Sequence, residues 1–302
     1  MAISNVTTQA TSAAYSWRDY YAMTKPKVVL LIAFTALVGM LLSTEGLVPW
    51  EVLLFGLTGI SLAAASGAVI NHVIDQRIDA LMDRTSWRPI PSGHMDTPHA
   101  MTFALFLGGV SMAMLYFLVN PLTALLTGMA LIGYAVIYTR YLKRSTPQNI
   151  VWGGLAGAAP PLLGWCAATG QVTTESFLLL LIIFVWTPPH FWPLAIHRRD
   201  DYAKADIPML PVTHGIDFTK QQVLIYSVML LAVSLLPFAI QMSGPLYLAG
   251  AVLLGLGFVR HALILLRSEG RGHAMKTFGF SIVYLSLLFT LLLVDHYLMM
   301  WL

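Results

Sequence analysis

VLLFGLTGISLAAASGAVINHVIDQRID, Val52 to Asp79, is the stretch whose reading decides the fold. Through Ile70 it is apolar or small, close to the ~20 residues a helix needs to cross a bilayer. It then passes, with no turn residue between, into Asn71, Asp75 and Asp79 at i, i+4 and i+8. Each step of four advances about 40° around a helix, so the three oxygen-bearing side chains share one face. The segment is therefore expected to be one helix that leaves the membrane carrying an oxygen ladder, closed off by Pro89 and Pro91.

The rest of the chain repeats the apolar half of this pattern. Nine spans are expected, at roughly 28–44, 52–71, 101–119, 122–140, 149–168, 176–196, 222–242, 246–266 and 277–295. Composition agrees: of 302 residues 57% are hydrophobic and only 10% charged, where soluble chains carry about 25% charged. The fold expected is all-α and polytopic. It divides into a polar N-terminal segment, 1–27, and a single transmembrane domain, 28–302. The first 27 residues lack the apolar core of a secretory signal and the Arg-rich amphipathic pattern of an organellar presequence, which favours a bacterial inner (plasma) membrane. A formal charge of +3 is too small to imply nucleic acid, and one cysteine, Cys166, excludes a disulfide framework or a Cys-rich metal site.

The position of the charges matters more than their sum. All seventeen Lys and Arg fall before the first span or around the ends of even-numbered spans and the connections that follow them. The positive-inside bias then places the N-terminus and the long loops in the cytoplasm and the C-terminus outside. Ten of the fourteen acids lie on that same side; only Glu45, Glu51, Glu175 and Asp295 do not. Both signs gathered on one face suggest a site as well as a topology.

Three constellations could carry chemistry. The Asn71–Asp75–Asp79 face offers hard oxygen donors, and Mg²⁺ is commonly held by one or two carboxylates plus substrate phosphates. The plain alternative is a solvated helix end, but acids continuing directly from a bilayer span are costly and usually functional. The second is TPPHFWPLAIHRRDDYAKADIPMLP, Thr187 to Pro211, where Pro188 and Pro189 are expected to interrupt or kink a helix and Asp200, Asp201 and Asp206 add carboxylates. The third is cationic: Lys25, Arg84, Arg88, Lys143 and Arg144 could hold phosphate oxygens, although any cytoplasmic loop carries such residues. No HExxH pair appears among the nine histidines, so a zinc hydrolase is not supported. His190, beside the Pro-Pro step, is the histidine best placed to meet a ligand such as an iron porphyrin. The run GGLAGAAPPLLGW, Gly153 to Trp165, lacks a phosphate-loop pattern and reads as close helix packing.

These residues also carry a resemblance. NHVIDQRIDALMDRT resembles the NxxxDxxxD signature of UbiA-type intramembrane prenyltransferases, and more narrowly their heme O synthase branch. The likeness runs from about Tyr20 to His296. It includes TKPKVVLL at Thr24, MDRTSWRPIPSG at Met82, YTRYLKRSTPQNIVWGGLAGAAPPLLGW at Tyr138, TPPHFWPLAI at Thr187, DYAKADIPMLPVTHG at Asp201 and FGFSIVYLSLLF at Phe278. His72 stands where quinone-pathway relatives carry Asp, while His197 and Asp206 depart from the pattern; Asp201 is the acid of the second motif carried over.

The resemblance implies nine helices around a central cavity open to lipid, with both acidic motifs at its cytoplasmic mouth. It further implies Mg²⁺ on Asn71, Asp75, Asp79 and Asp201, and substrate contacts from Lys25, Arg84, Arg88, Lys143, Arg144, His190 and Tyr202. The substrates implied are farnesyl diphosphate and heme B (protoheme IX), and the products heme O and diphosphate. Association with heme A synthase or terminal-oxidase assembly is expected with them. Competing readings are a quinone-type aromatic prenyltransferase, an ion-coupled transporter and a heme-binding assembly factor. A transporter would place acids near the midplane, and an assembly factor leaves the Asn/Asp ladder without a purpose.

Overall fold

The computed structural model describes residues 15–301. Residues 1–14, half of the polar N-terminal segment, and Leu302 lie outside the described residues. The described chain is helical, without strands. Its long helices are α2 (Pro26–Leu42), which follows a short α1 (Trp17–Met23), then α3 (Trp50–Asp79), α4 (Thr97–Leu118), α5 (Pro121–Ser145), α6 (Asn149–Thr169) and α7 (Thr174–His197). The short α8 (Arg199–Lys204) leads to α9 (Ile216–Ala239), α10 (Pro245–Arg267) and α11 (Ala274–Trp301). Eight of these are long and apolar enough to cross a membrane. α1 and α2, bent by 52° at Thr24-Lys25, make a ninth if the pair is taken as one span. The protein is a polytopic membrane protein.

Each expected span lies on its own helix, and α3 runs unbroken from Trp50 to Asp79, as the ladder required. One local expectation, an interruption at Pro188 and Pro189, needs correction. Helix α7 is not interrupted at Pro188 and Pro189; it continues through both and through Pro193 to His197. Inside a packed bundle, neighbouring helices compensate for the missing N–H groups, so proline does not terminate a buried transmembrane helix as it would an exposed one.

Packing follows bilayer rules. Leu105, Phe117 and Leu253 point outward, while hydroxyls face inward: Ser66 donates to the Ala104 carbonyl at 2.8 Å and Ser111 to the Gly59 carbonyl at 2.6 Å, joining α3 to α4. Such small polar residues act as interhelical ties where lipid gives little hydrophobic drive. Connections gather at two ends. At one, Lys204 approaches Asp83 at 3.9 Å and Arg271 pairs with Asp200 at 2.7 Å. At the other, Asn120 donates to the Cys166 carbonyl at 3.0 Å and His296 meets the Thr44 carbonyl at 3.1 Å.

Asp295 belongs to that second end and is buried. Its carboxylate accepts from the backbone N–H groups of Gly244 and Tyr247 (the latter at 3.0 Å), so α11 caps the N-terminus of α10. A carboxylate there meets both the orphan donors and the positive end of the helix dipole. Asp295→Ala is expected to cost ~1–3 kcal/mol by stranding two buried donors. A lowered detergent melting temperature with unchanged helix content is the expected result; an unchanged melting temperature would refute the cap.

Candidate active site

A cavity of about 440 Å³ lies between α2, α3, α5, α6 and α7. Its deep wall is apolar, with Ile60, Leu163 and Ile183; its mouth carries Lys25, Asn71, Asp75, Asp79, Arg84, Arg88 and Lys143. The charged residues come from separate elements, and the fold brings them together at one end of α3.

Lys25 occupies the break between α1 and α2 with φ 51°, ψ 60°. This left-handed conformation is uncommon for a side chain other than glycine, and Pro26 next in sequence makes it more so. Strain of this kind tends to collect at functional sites. Here the bend accompanies a contact: Lys25 Nζ donates to Asn71 Oδ1 at 2.6 Å. The Asn71 amide then donates through Nδ2 to Asp75 Oδ2 at 2.7 Å. Asp75 Oδ2 also accepts from Lys143 Nζ at 2.5 Å. One turn on, Asp79 pairs with Arg88 at 2.6 Å, and Thr85 Oγ1 ties the following loop back to the Asp79 carbonyl at 2.9 Å. Asn71, Asp75 and Asp79 are all at least 95% buried. The ladder is thus no solvated helix end; its partners are Lys25 and Lys143, far along the chain, and Arg88, nine residues on.

One ladder atom stands apart. Asp75 Oδ1 is buried and makes no hydrogen bond; Arg144 Nη2 lies 3.8 Å from it. Arg144 itself is half-exposed and outside the cavity wall, donating weakly to the Ile74 carbonyl at 3.4 Å. Among the described residues no group of three or more His, Cys, Asp or Glu side chains is set to hold a metal by itself.

The second motif is divided by the structure. Tyr202 is buried and lines the cavity; burial pushes its phenol above the ordinary value, with the Arg84 charge opposing. Asp201 beside it is not part of the wall. Its nearest cation is Arg198 at 3.6 Å, and its Oδ2 is buried without a hydrogen bond. Asp200 faces away, held by both Nη2 contacts of Arg271 at 2.7 Å, which keep its carboxyl below the usual range. His190 lines the cavity deeper, on α7. His72 is buried outside the wall.

Two wall residues had no clear sequence signal. Tyr134 and Tyr138 lie in a π-helical stretch, Gly133–Leu142, that ends α5 just before Lys143. Thr139 Oγ1 accordingly donates to the carbonyl five residues back, Tyr134, at 2.8 Å. The wider turn places both tyrosine rings on the cavity, stacked with centroids 5.8 Å apart, and π-helical segments of this kind are frequent at functional sites. The glycine run read as close packing is part of this arrangement: a Cβ on Gly153 would collide with the Tyr138 ring, and one on Gly154 would meet Thr187 at 3.0 Å.

Comparison with known proteins agrees with this architecture. The family model described as "UbiA prenyltransferase family" matches residues 32–292. The chain is 65% identical over 300 residues to a protoheme IX farnesyltransferase of Thioalkalivibrio sulfidiphilus (99% of each chain). It is 61% identical over 288 residues to one of Stutzerimonas stutzeri (95% of this chain, 96% of that one). Among solved structures, a digeranylgeranylglyceryl phosphate synthase matches with TM-score 0.79 at 18% identity, covering 93% of this chain and 98% of that one. A UbiA homolog from Archaeoglobus fulgidus bound to GPP and Mg²⁺ matches with TM-score 0.59 at 15% identity, covering 91% and 99%. At such identities the structures speak for the fold alone. The chain belongs to the UbiA prenyltransferase family.

Proposed function

We propose that this prenyltransferase moves a farnesyl group from farnesyl diphosphate to a vinyl group of protoheme IX (heme B), with addition of water, giving heme O and diphosphate. The observation that carries the reading is the buried Asn71–Asp75–Asp79 ladder, ringed by Lys25, Arg88 and Lys143, above an apolar cavity. The heme acceptor is supported by the relatives named protoheme IX farnesyltransferase at 65% and 61% identity over nearly the whole chain.

The ladder fits Mg²⁺. Its donors are oxygens on one face, and the unpartnered Asp75 Oδ1 is the kind of buried atom a cation would satisfy. Asn71, Asp75 and Asp79 would hold the ion; Asp201 would join only by turning away from Arg198. When bound, Mg²⁺ supplies Lewis-acid stabilisation of charge on the leaving diphosphate.

The protein's own residues do the rest. Lys25, Arg84, Arg88 and Lys143 face the mouth and balance the diphosphate oxygens, with Arg144 just outside; Arg does so by bidentate pairing. As the C1–O bond of the farnesyl group breaks, its electron pair leaves with the diphosphate, where these cations stabilise it. The π-faces of Tyr134, Tyr138 and Trp186 on the wall suit the allylic cation left behind, and the apolar lower wall limits its capture by water. The vinyl group then attacks C1, a C–C bond forms, and water adds to the new cation with loss of a proton.

Localisation follows from the same reading: a bacterial inner membrane, with the charged mouth and N-terminus on the cytoplasmic side, where farnesyl diphosphate is soluble, and the C-terminus outside. Supply of heme O to heme A synthase and terminal-oxidase assembly fits the product.

The decisive test supplies purified protein with farnesyl diphosphate, Mg²⁺ and either heme B or 4-hydroxybenzoate. Heme O from heme B alone, abolished by a chelator, is the expected outcome. Prenylated 4-hydroxybenzoate instead would move the chain to the quinone branch. Substrate flux across vesicles without Mg²⁺ dependence would favour transport.

A further inference from the structure

His190 is held more firmly than a cavity-lining histidine needs to be. Its ring is stacked between Trp186 (centroids 4.1 Å, 15°) and Phe278 (4.6 Å, 26°), and Nδ1 lies 2.6 Å from Ser281 Oγ on α11. Ser281 also anchors the stack, since its carbonyl accepts from Trp186 Nε1 at 2.9 Å.

The hydrogen-bond count favours one tautomer. A serine hydroxyl has one hydrogen, and Ser281 Oγ gives it to the Phe278 carbonyl at 2.6 Å. Ser281 Oγ is then an acceptor toward His190, so Nδ1 carries the proton. Nε2 is left with a lone pair. It has no hydrogen-bond partner among the described residues, and the residue lines the cavity.

We propose that His190 Nε2 is an axial ligand to the iron of the tetrapyrrole acceptor, with Ser281 the positioning residue that sets its tautomer and ring plane. The inference rests on reading the acceptor as a heme. A neutral imidazole whose other nitrogen donates to a fixed oxygen is the usual form of a metal-bound histidine, and histidine is a common protein ligand to heme iron. A proton-accepting role suits the site less well. The ring has aromatic neighbours and a hydroxyl, with no carboxylate in contact to balance the charge it would gain. The placement is also apt: His190 lies about 10 Å along α7 from His197, at about 1.5 Å per residue, below the charged mouth. Iron coordination there would hold the porphyrin in the apolar part of the cavity, leaving the ladder to the diphosphate.

The test uses the full chain in lipid nanodiscs, titrated with heme B and, separately, with metal-free protoporphyrin IX. The wild type is expected to give a nitrogen-ligated heme spectrum. His190→Ala should lose that spectrum and bind heme on the order of tenfold or more weaker, with added imidazole restoring it and protoporphyrin IX binding unchanged. His190→Cys should shift the spectrum to the thiolate class, a change that only a direct iron contact produces. Ser281→Ala, which keeps the imidazole, should weaken heme binding by about tenfold without changing the ligand class. Mg²⁺-dependent farnesyl diphosphate binding reports that each variant is folded. A wild-type spectrum in His190→Ala and His190→Cys overturns the proposal, as do equal losses for heme and metal-free porphyrin, which would mark a packing role. A Ser281→Ala protein with wild-type heme affinity overturns the positioning role. Wild-type protein that binds farnesyl diphosphate but no heme overturns the heme reading itself, and the ligand with it.

Discussion

Asp75→Asn is expected to reduce heme O formation by roughly 10²- to 10³-fold, the scale of losing one preorganised electrostatic partner of a developing charge. The substitution keeps the shape of the side chain and removes its charge from the centre of the ladder. Asp75 is where the motif's contacts meet: Asn71 Nδ2 at 2.7 Å and Lys143 Nζ at 2.5 Å on one oxygen, and the unpartnered Oδ1 on the other. An asparagine cannot accept from both donors and still offer a carboxylate oxygen to a cation. Lys143 also loses its ion pair in a mostly buried position, so some stability will be lost as well. The two effects separate in measurement. Membranes supplied with heme B, farnesyl diphosphate and Mg²⁺ report turnover, while a detergent melting curve reports folding. Loss of turnover should exceed anything the melting curve accounts for, and raised Mg²⁺ should recover part of it. Undiminished turnover would remove Asp75 from the proposed metal site.

How much of this was legible in the sequence depends on the range of each interaction. The spans were legible because bilayer crossing is a local demand on about 20 residues. The shared face of Asn71, Asp75 and Asp79 was legible because helical periodicity is local too, and α3 does run through all three. The glycine run was legible as packing for the same reason. What pairs with the ladder was not. Lys143 lies 68 residues from Asp75, and Lys25 lies 46 from Asn71; no spacing rule links them, and the charge map offered them only as cations that could hold phosphate. The π-helical turn that brings Tyr134 and Tyr138 to the wall leaves the apolar pattern of its span almost unchanged, so periodicity did not show it. Proline misled in the opposite direction, since Pro188 and Pro189 would end an exposed helix but not α7. The second acidic motif was offered as three carboxylates, with Asp201 alone carried into the site. On the short α8, neighbouring positions point different ways, so Tyr202 reaches the cavity while Asp200 turns to Arg271 and Asp201 lies beside Arg198.

The other large effect expected lies far from the charged mouth. Gly164→Ala should leave little folded protein, although it adds a single methyl group. A Cβ on Gly164 would fall on the carbonyl oxygen of Ala36, and a Cβ on Gly39 on the carbonyl oxygen of Pro161. The contact is reciprocal: Ala36 and Gly39 on α2 meet Pro161 and Gly164 on α6, each pair three residues apart, so the two backbones touch directly. Small-residue contacts of this type are how helices associate closely in a bilayer. Ordinary overpacking costs about 1–3 kcal/mol because side chains can shift. Here the obstacle is backbone, so the helices themselves must separate and the cost should exceed that range. Stability totals only ~5–15 kcal/mol, so such a loss becomes one of yield and of melting temperature. The separation would also reach the site, because α2 begins beside Lys25 and α6 carries Gly153 against the Tyr138 ring. Gly109→Ala is the matched control. It lies within α4 with open space around it, and should be neutral or stabilising by up to about 1 kcal/mol. If Gly164→Ala accumulates and melts like Gly109→Ala, the α2–α6 crossing is not the constraint that sets the cavity's width.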